Sequence, residues 1–186
     1  MSSSKEFNAL IQVLSGEQQV IQRTDQKAFT LLSVLGVFMV FFIVHFPKLS
    51  SNMNLIIFVL MMIYMISAMG TIYFLVRVIV PRVQINKVET DIKFKKKEEI
   101  INPTFFAGIS QFKTSTEYAK YLRSVTKSDD QLYNMFASQV FALGQINNTK
   151  NLNIRKSIYF FISALISELM MIMIVAYLVF KDFLFL

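Results

Sequence analysis

The chain has 186 residues, of which 54% are hydrophobic, with 19 Phe and 11 Met, against only 17% charged, and its formal net charge is +7. That balance lies on the membrane side of ordinary globular composition. It contains no cysteine, which excludes disulfides, zinc–thiolate centres and cysteine nucleophiles, and it has one histidine.

The first 28 residues are polar and carry three basic groups (Lys5, Arg23, Lys27) and three acidic ones (Glu6, Glu17, Asp25). Phe7, Leu10, Ile11 and Leu14 fall at i, i+3, i+4 and i+7, which predicts a short amphipathic helix. Ser15-Gly16 predicts its end, and a second helical piece over 17–28, with Val20 and Ile21 on its apolar side, runs into the next segment. Such an arm either lies on the membrane surface, grips a neighbouring subunit, or packs on its own cytoplasmic domain.

Residues 29–46 and 53–76 hold no Asp, Glu, Lys or Arg. At the helical rise they reach roughly 27 and 36 Å, enough for a hydrocarbon core of about 30 Å. They predict a transmembrane hairpin turning at 47–52, where Pro47 and Lys48 lie. A chain of this size is too small to wrap both helices, and a third apolar span at 157–180, inside a soluble core. A cleaved signal peptide is not expected, because the first span follows 28 polar residues and precedes no small-x-small site. His45, at the outer edge of the first span, reads as an interfacial polar residue without an evident nucleophile.

Composition changes at Arg77. Pro81 ends or kinks the helix, and the run that follows contains Lys93, Lys95, Lys96 and Lys97, a charge pattern that attracts anionic lipid head groups or a phosphate-bearing ligand. NPTFFAG at 102–108 predicts a turn at Asn102-Pro103, a Gly108 placed for its conformational freedom, and burial or stacking of Phe105 and Phe106. Two capping boxes follow. Thr114-x-x-Glu117 opens a helix with Tyr118, Tyr121, Leu122 and Val125 inward, and Ser128-x-x-Gln131 opens another with Leu132, Phe136, Val140 and Leu143 on one stripe. Asp129-Asp130 suits the start of that helix. Without a clear stop signal, it is expected to run through Arg155-Lys156 into the third span, as a rod coupling cytoplasmic motion to the membrane.

In the third span Glu168 stands near mid-depth. An ionisable group there costs at least about 2.5 kcal/mol on insertion scales, so it faces a partner or a watery cavity. One reading places it in a pore with Ser163 and Ser167 lining the same region, although Glu168 lies about 100° around the helix from Ser167. The other is a protonated Glu168 hydrogen-bonded between helices. Phosphate-binding glycine loops, metal-ligand clusters and G-x-S-x-G are all missing, so neither an enzyme nor a cofactor is expected.

Residues 77–156 carry fourteen basic and seven acidic groups, so the positive-inside tendency makes the N-terminus and this segment cytoplasmic and puts the C-terminus outside. The expected fold class is an all-α membrane protein with three transmembrane helices and a small cytoplasmic helical layer between spans 2 and 3, assembled as a homo-oligomer. Its expected division is 1–28 as cytoplasmic amphipathic helices, 29–80 as the transmembrane hairpin, 81–156 as the basic cytoplasmic helical region, and 157–186 as the third span with a short tail.

RTDQKA at 23–28, NPTFFAG at 102–108, STEYAKYL at 115–122 and LGQINNTKNLNIRKSIYFF before the last apolar segment resemble, in order and spacing, the transmembrane effector domain of Pycsar-type anti-phage systems. The resemblance marks Asp25, Lys27, Asn102, Pro103, Phe105, Phe106 and Gly108 as motif residues. It implies a bacterial inner-membrane effector, encoded with a nucleotidyltransferase or cyclase, that perturbs the membrane when infection changes a nucleotide signal. Fused members carry a separate cyclic-nucleotide-binding domain, which these residues do not include. Reception is therefore expected in 77–156, in the arm, or in a partner. The arrangement is also similar to the membrane effector of Hailong-type systems, held shut by a short single-stranded DNA. Lys113, Tyr118, Lys120, Tyr121 and Arg123, with Tyr133 and the lysine run, form the candidate site for such a phosphate backbone and its stacked bases.

Three helices from one small chain cannot enclose a useful aqueous pore, so a ring of copies, taken as a tetramer, is expected in the lipid bilayer. Two other classes remain open: a membrane anchor recruiting a soluble partner, and a small transporter subunit. The second is disfavoured by the lack of an inverted repeat.

Overall fold

The computed structural model describes residues 2–51, 54–80, 106–126 and 128–184, and these are helical throughout apart from short connections. In chain order the helices are α1 (Ser2–Ser51), α2 (Leu55–Ile79), α3 (Phe106–Ile109), α4 (Ser115–Val125) and α5 (Asp129–Leu184). Three of them, α1, α2 and α5, are long and apolar enough to cross a membrane.

Two expectations about α1 are corrected. Ser15-Gly16 does not end a helix, because α1 is unbroken for 50 residues. Gly16 is exposed, with nothing near its missing Cβ, so the glycine interrupts no packing. Nor does the chain turn at Pro47. The helix continues through it to Ser51, which allows Leu49 to be buried at 4% exposure. Proline costs a helix one backbone bond, and the packing of Leu49 offsets that loss. The lack of a stop signal after Ser128 is borne out, since α5 runs 56 residues from Asp129 without a break.

The chain divides into two compact units, Met1–Ile21 with Arg82–Asn148, and Gln22–Pro81 with Thr149–Leu186. In the second unit one spacing organises all three helices. On α1, Ala28, Leu35, Phe42 and Leu49 recur every seven residues and are all buried, with Leu31, Phe38 and His45 half-buried between them. On α2 the same interval links Ile57, Tyr64, Thr71 and Val78, and on α5 it links Ile154, Phe161 and Glu168 as well as Ser157, Ala164 and Met171. Alternating steps of three and four keep one seam facing inward, as in a left-handed coiled bundle.

The seam packs in layers. Ala28, Leu75, Val78 and Ile154 form one end, Leu35, Ala68 and Phe161 the middle, and Phe42, Leu49, Ile57, Tyr64, Ala164 and Met171 the other end. Lipid supplies no hydrophobic force between helices, so close fit must hold them, and small residues let backbones approach. Ala28, Ala68 and Ala164 are buried to 0–2% exposure, and a Cβ on Gly70 would come within 2.7 Å of Phe160 Cδ1. Phe160 in turn stacks on Phe74 at 5.6 Å.

In the first unit α4 starts as its capping box predicts, with Thr114 Oγ1 accepting from Glu117 N at 3.2 Å. Phe7 packs edge-on against Phe136 at 5.5 Å. Asn147, buried on α5, donates to Glu17 O at 3.1 Å and to the Glu17 carboxylate.

Leu35→Ala should destabilise the transmembrane unit by about 1–3 kcal/mol through lost packing, whereas Val37→Ala, at a position 68% exposed, should change stability by less than about 0.5 kcal/mol; unfolding in mixed micelles measures both. Gly70→Val should destabilise the same unit, and Phe160→Ala in the same chain should restore part of the loss. A double-mutant cycle with no coupling would contradict the close approach.

Candidate functional site

Glu168 occupies an inward seam position, one α5 heptad after Phe161, and is 2% exposed. Both of its carboxylate oxygens lack a hydrogen-bond partner among the described residues, as does the equally buried Tyr64 hydroxyl. The ring of Tyr64 stacks on Phe42 at 4.5 Å. Glu168 lines a cavity of about 540 Å³ between α1 and α5, whose other walls are mainly apolar, among them Phe41, Phe42, Met171 and Val175. His45 and Lys48 of α1 line it as well. His45, expected as an interfacial residue, lies half-buried on the α1 seam.

Ser163 and Ser167 do not join Glu168. They line a second, more open groove of about 320 Å³ between α2 and α5, with Leu60 and Met170 among its walls. Ser67 Oγ donates to Ser163 Oγ at 3.1 Å, Ser167 Oγ donates to Ala164 O, and Thr71 Oγ1 donates to Ser67 O at 2.8 Å. The 100° between Ser167 and Glu168 therefore separates two surfaces of α5, and the expected common lining is divided.

At the opposite end of this unit Asp25 and Lys150 form an ion pair, their side chains 30% and 12% exposed. Lys27 is exposed one residue before the buried Ala28. The Arg77 guanidinium lies over Tyr73 at 5.2 Å and the Lys156 ammonium near Phe74 at 5.7 Å. Cationic groups thus gather where the spans end, with their stems along apolar surface.

The cytoplasmic candidates are only partly grouped. Lys113, Lys120 and Arg123 are exposed on and beside α4. Tyr118 and Tyr121 are half-buried, with rings 5.4 and 5.3 Å from that of Phe112. They make an aromatic cluster around Phe112, which the sequence had not singled out, instead of an open stacking platform. Tyr133 is 43% exposed. Gly108 is buried within α3 as an ordinary helical residue, so its expected special conformation is not used. Phe106 opens α3. Lys93, Lys95, Lys96, Lys97, Asn102, Pro103 and Phe105, and the side chain of Phe106, lie outside the described residues.

The sequence reading missed Tyr64, the joining of His45 to Glu168, and the pairs Glu17–Asn147 and Asp25–Lys150. A count in sevens from Ile154 reaches Asn147 and Glu168, and one from Leu31 reaches Glu17 and His45. No cluster of three or more metal-ligating side chains occurs among the described residues.

No curated protein and no solved structure matches the chain. A family model, PycTM, described as the Pycsar effector protein domain, matches residues 9–180. With three apolar helices long enough to span a bilayer and a match across nearly its whole length, the chain belongs to the Pycsar effector family and is an anti-phage transmembrane effector.

Proposed function

We propose that the protein is a homo-oligomeric effector of the bacterial inner membrane that opens an ion-conducting pore, depolarises the membrane and arrests the infected cell. A nucleotide made by a partner cyclase or nucleotidyltransferase controls it. The observation that carries this reading is where the polar groups of the spans lie. Ser67, Thr71, Ser157, Ser167 and Glu168 are all buried inside one protomer's bundle, while its outer faces present Val37, Ile43, Ile66, Met69 and Met173 at 60–71% exposure. Thr30 and Ser33 are exposed, but their hydroxyls are returned to carbonyls of their own helix.

Such a bundle suits lipid on every side and conducts nothing. Water needs polar walls, so conduction requires the helices to part or turn until the groove of Ser163 and Ser167 faces an axis shared with other copies. The arrangement described corresponds to the shut state in this account. A ligand shifts the balance only by binding one arrangement more tightly than the other. α1 and α5 are each long and unbroken, which suits them to carry a ligand's effect from the basic 81–156 region to the spans. In this account that region and the N-terminus are cytoplasmic, because Arg23, Lys27, Arg77, Arg155 and Lys156 cluster at one end of the spans. Lys113, Lys120 and Arg123 then face the cytoplasm as the anion-binding groups, with the lysine run at 93–97. Recruitment of a soluble partner by a mere anchor is the second reading, and it needs no change in the spans.

Because the protein has no cysteine, single thiols report on the pore directly. Ser163→Cys and Ser167→Cys should react with a membrane-impermeant thiol reagent only in the condition of nucleotide signal that depolarises the membrane, and Val37→Cys should stay unreactive throughout. Reaction of none of them during full depolarisation would point away from this lining. Lys120→Glu with Arg123→Glu should weaken binding of a cyclic nucleotide by at least about tenfold, equivalent to about 1.4 kcal/mol, as measured by calorimetry on the detergent-solubilised full chain.

A further inference from the structure

We propose that the cavity between α1 and α5 is a proton-binding site, in which Glu168 and His45 hold one proton between them and exchange it with water at the α1–α2 turn end. An isolated carboxylate is among the most expensive groups to bury in an apolar medium unless a proton, a cation or hydrogen-bond donors neutralise it. No such donor reaches Glu168 among the described residues, and both of its oxygens are buried. The walls are too apolar to ligate a metal ion: besides the Glu168 carboxylate, the cavity offers only the His45 ring and the Lys48 ammonium as polar side chains.

His45 is set up as the proton's second seat. Its Nδ1 lies 2.8 Å from Phe41 O. A carbonyl only accepts, so Nδ1 carries the hydrogen and Nε2 is left as the acceptor in the neutral ring. With the proton on Glu168, a neutral acid and a neutral imidazole line one cavity without a direct hydrogen bond between them. Transfer to Nε2 through water in the cavity gives a carboxylate and an imidazolium on its two walls, with no change in total charge. Release to water leaves a carboxylate beside neutral His45. The other titratable group lining this space is Lys48 from α1, which is exposed; Tyr64 from α2, buried outside the lining, interacts electrostatically with Glu168. α5 adds no titratable group to the lining besides Glu168. The exposed Lys48 and Phe180 place the mouth near the ends of α1 and α5. The site would make the packing of α1 on α5 respond to acidity on that side, a control separate from any nucleotide.

Infrared difference spectroscopy of the full chain in lipid nanodiscs, titrated with pH and repeated in heavy water, reads the proton itself. A protonated-carboxyl carbonyl band is expected that disappears on alkalinisation, shifts in heavy water, is absent in Glu168→Gln and moves in Glu168→Asp. His45→Gln, which removes the second seat, is expected to change both the frequency of the band and its pH dependence. Should Glu168→Gln fail to fold, the shift in Glu168→Asp assigns the band. Absence of any such band at every pH would show a permanent carboxylate and overturn the proposal, as would a band indifferent to His45→Gln. Neither result depends on whether the protein forms a pore.

Discussion

Seven-residue spacing governs the transmembrane unit. In lipid the outside of a helix is as comfortable as the inside, so apolarity alone cannot say which face packs. Fit decides instead. Ala28, Ala68 and Ala164 let the helices approach, and Leu35, Phe42, Ile57 and Met171 fill the space that remains. The same interval extends along α1 through Phe7, Leu10, Leu14, Glu17, Ile21 and Thr24, all buried or half-buried, so one register serves a polar arm and an apolar span. That continuity is why Gly16 and Pro47 do not break the helix.

Polar groups on this seam are the exceptions that carry meaning. Where the chain leaves the apolar region they are matched: Glu17 takes Asn147, and Asp25 takes Lys150. Within the spans the hydroxyls turn back to their own helix or to each other, an economical arrangement since interhelical hydrogen bonds in membranes are worth only about 0.6 kcal/mol on average. Glu168 and Tyr64 are matched by nothing among the described residues. A bundle optimised only for stability would place apolar side chains there. Both stand at seam positions, and Glu168 lines a cavity, so packing alone does not account for this layer.

Much of the architecture was legible in the sequence: three apolar spans, the Thr114 cap of α4, and the uninterrupted run of α5. The family was legible too, from short motifs whose order and spacing agree with the match across residues 9–180. Two things were hidden, for a physical reason. In an all-apolar span the inward and lipid-facing residues are the same types, so Phe42 at 8% exposure and Val40 at 61% look alike in sequence. The polar exceptions alone reveal the phase, and reading Glu168 beside Ser163 and Ser167 took their chemistry before their angular position. Local signals also misled at Gly16 and Pro47, where α1 continues unbroken and, past Pro47, buries Leu49 in the core. The aromatic cluster of Phe112 with Tyr118 and Tyr121 was half visible: the tyrosines drew notice as a stacking surface, but the ring they pack on lay in a stretch without periodicity.

On the proposed function, this small bundle, shut as a protomer, opens the membrane when its signal changes. Membrane potential in living bacteria, followed by a voltage-sensitive dye with the effector alone, with its partner cyclase, and during phage challenge, tests that opening most directly. Potential should collapse only in the condition where the nucleotide signal has changed, and before any loss of membrane integrity to large dyes. A potential that stays constant in all three while the cells still stop growing would contradict it, and would leave recruitment of a soluble partner as the effector's action.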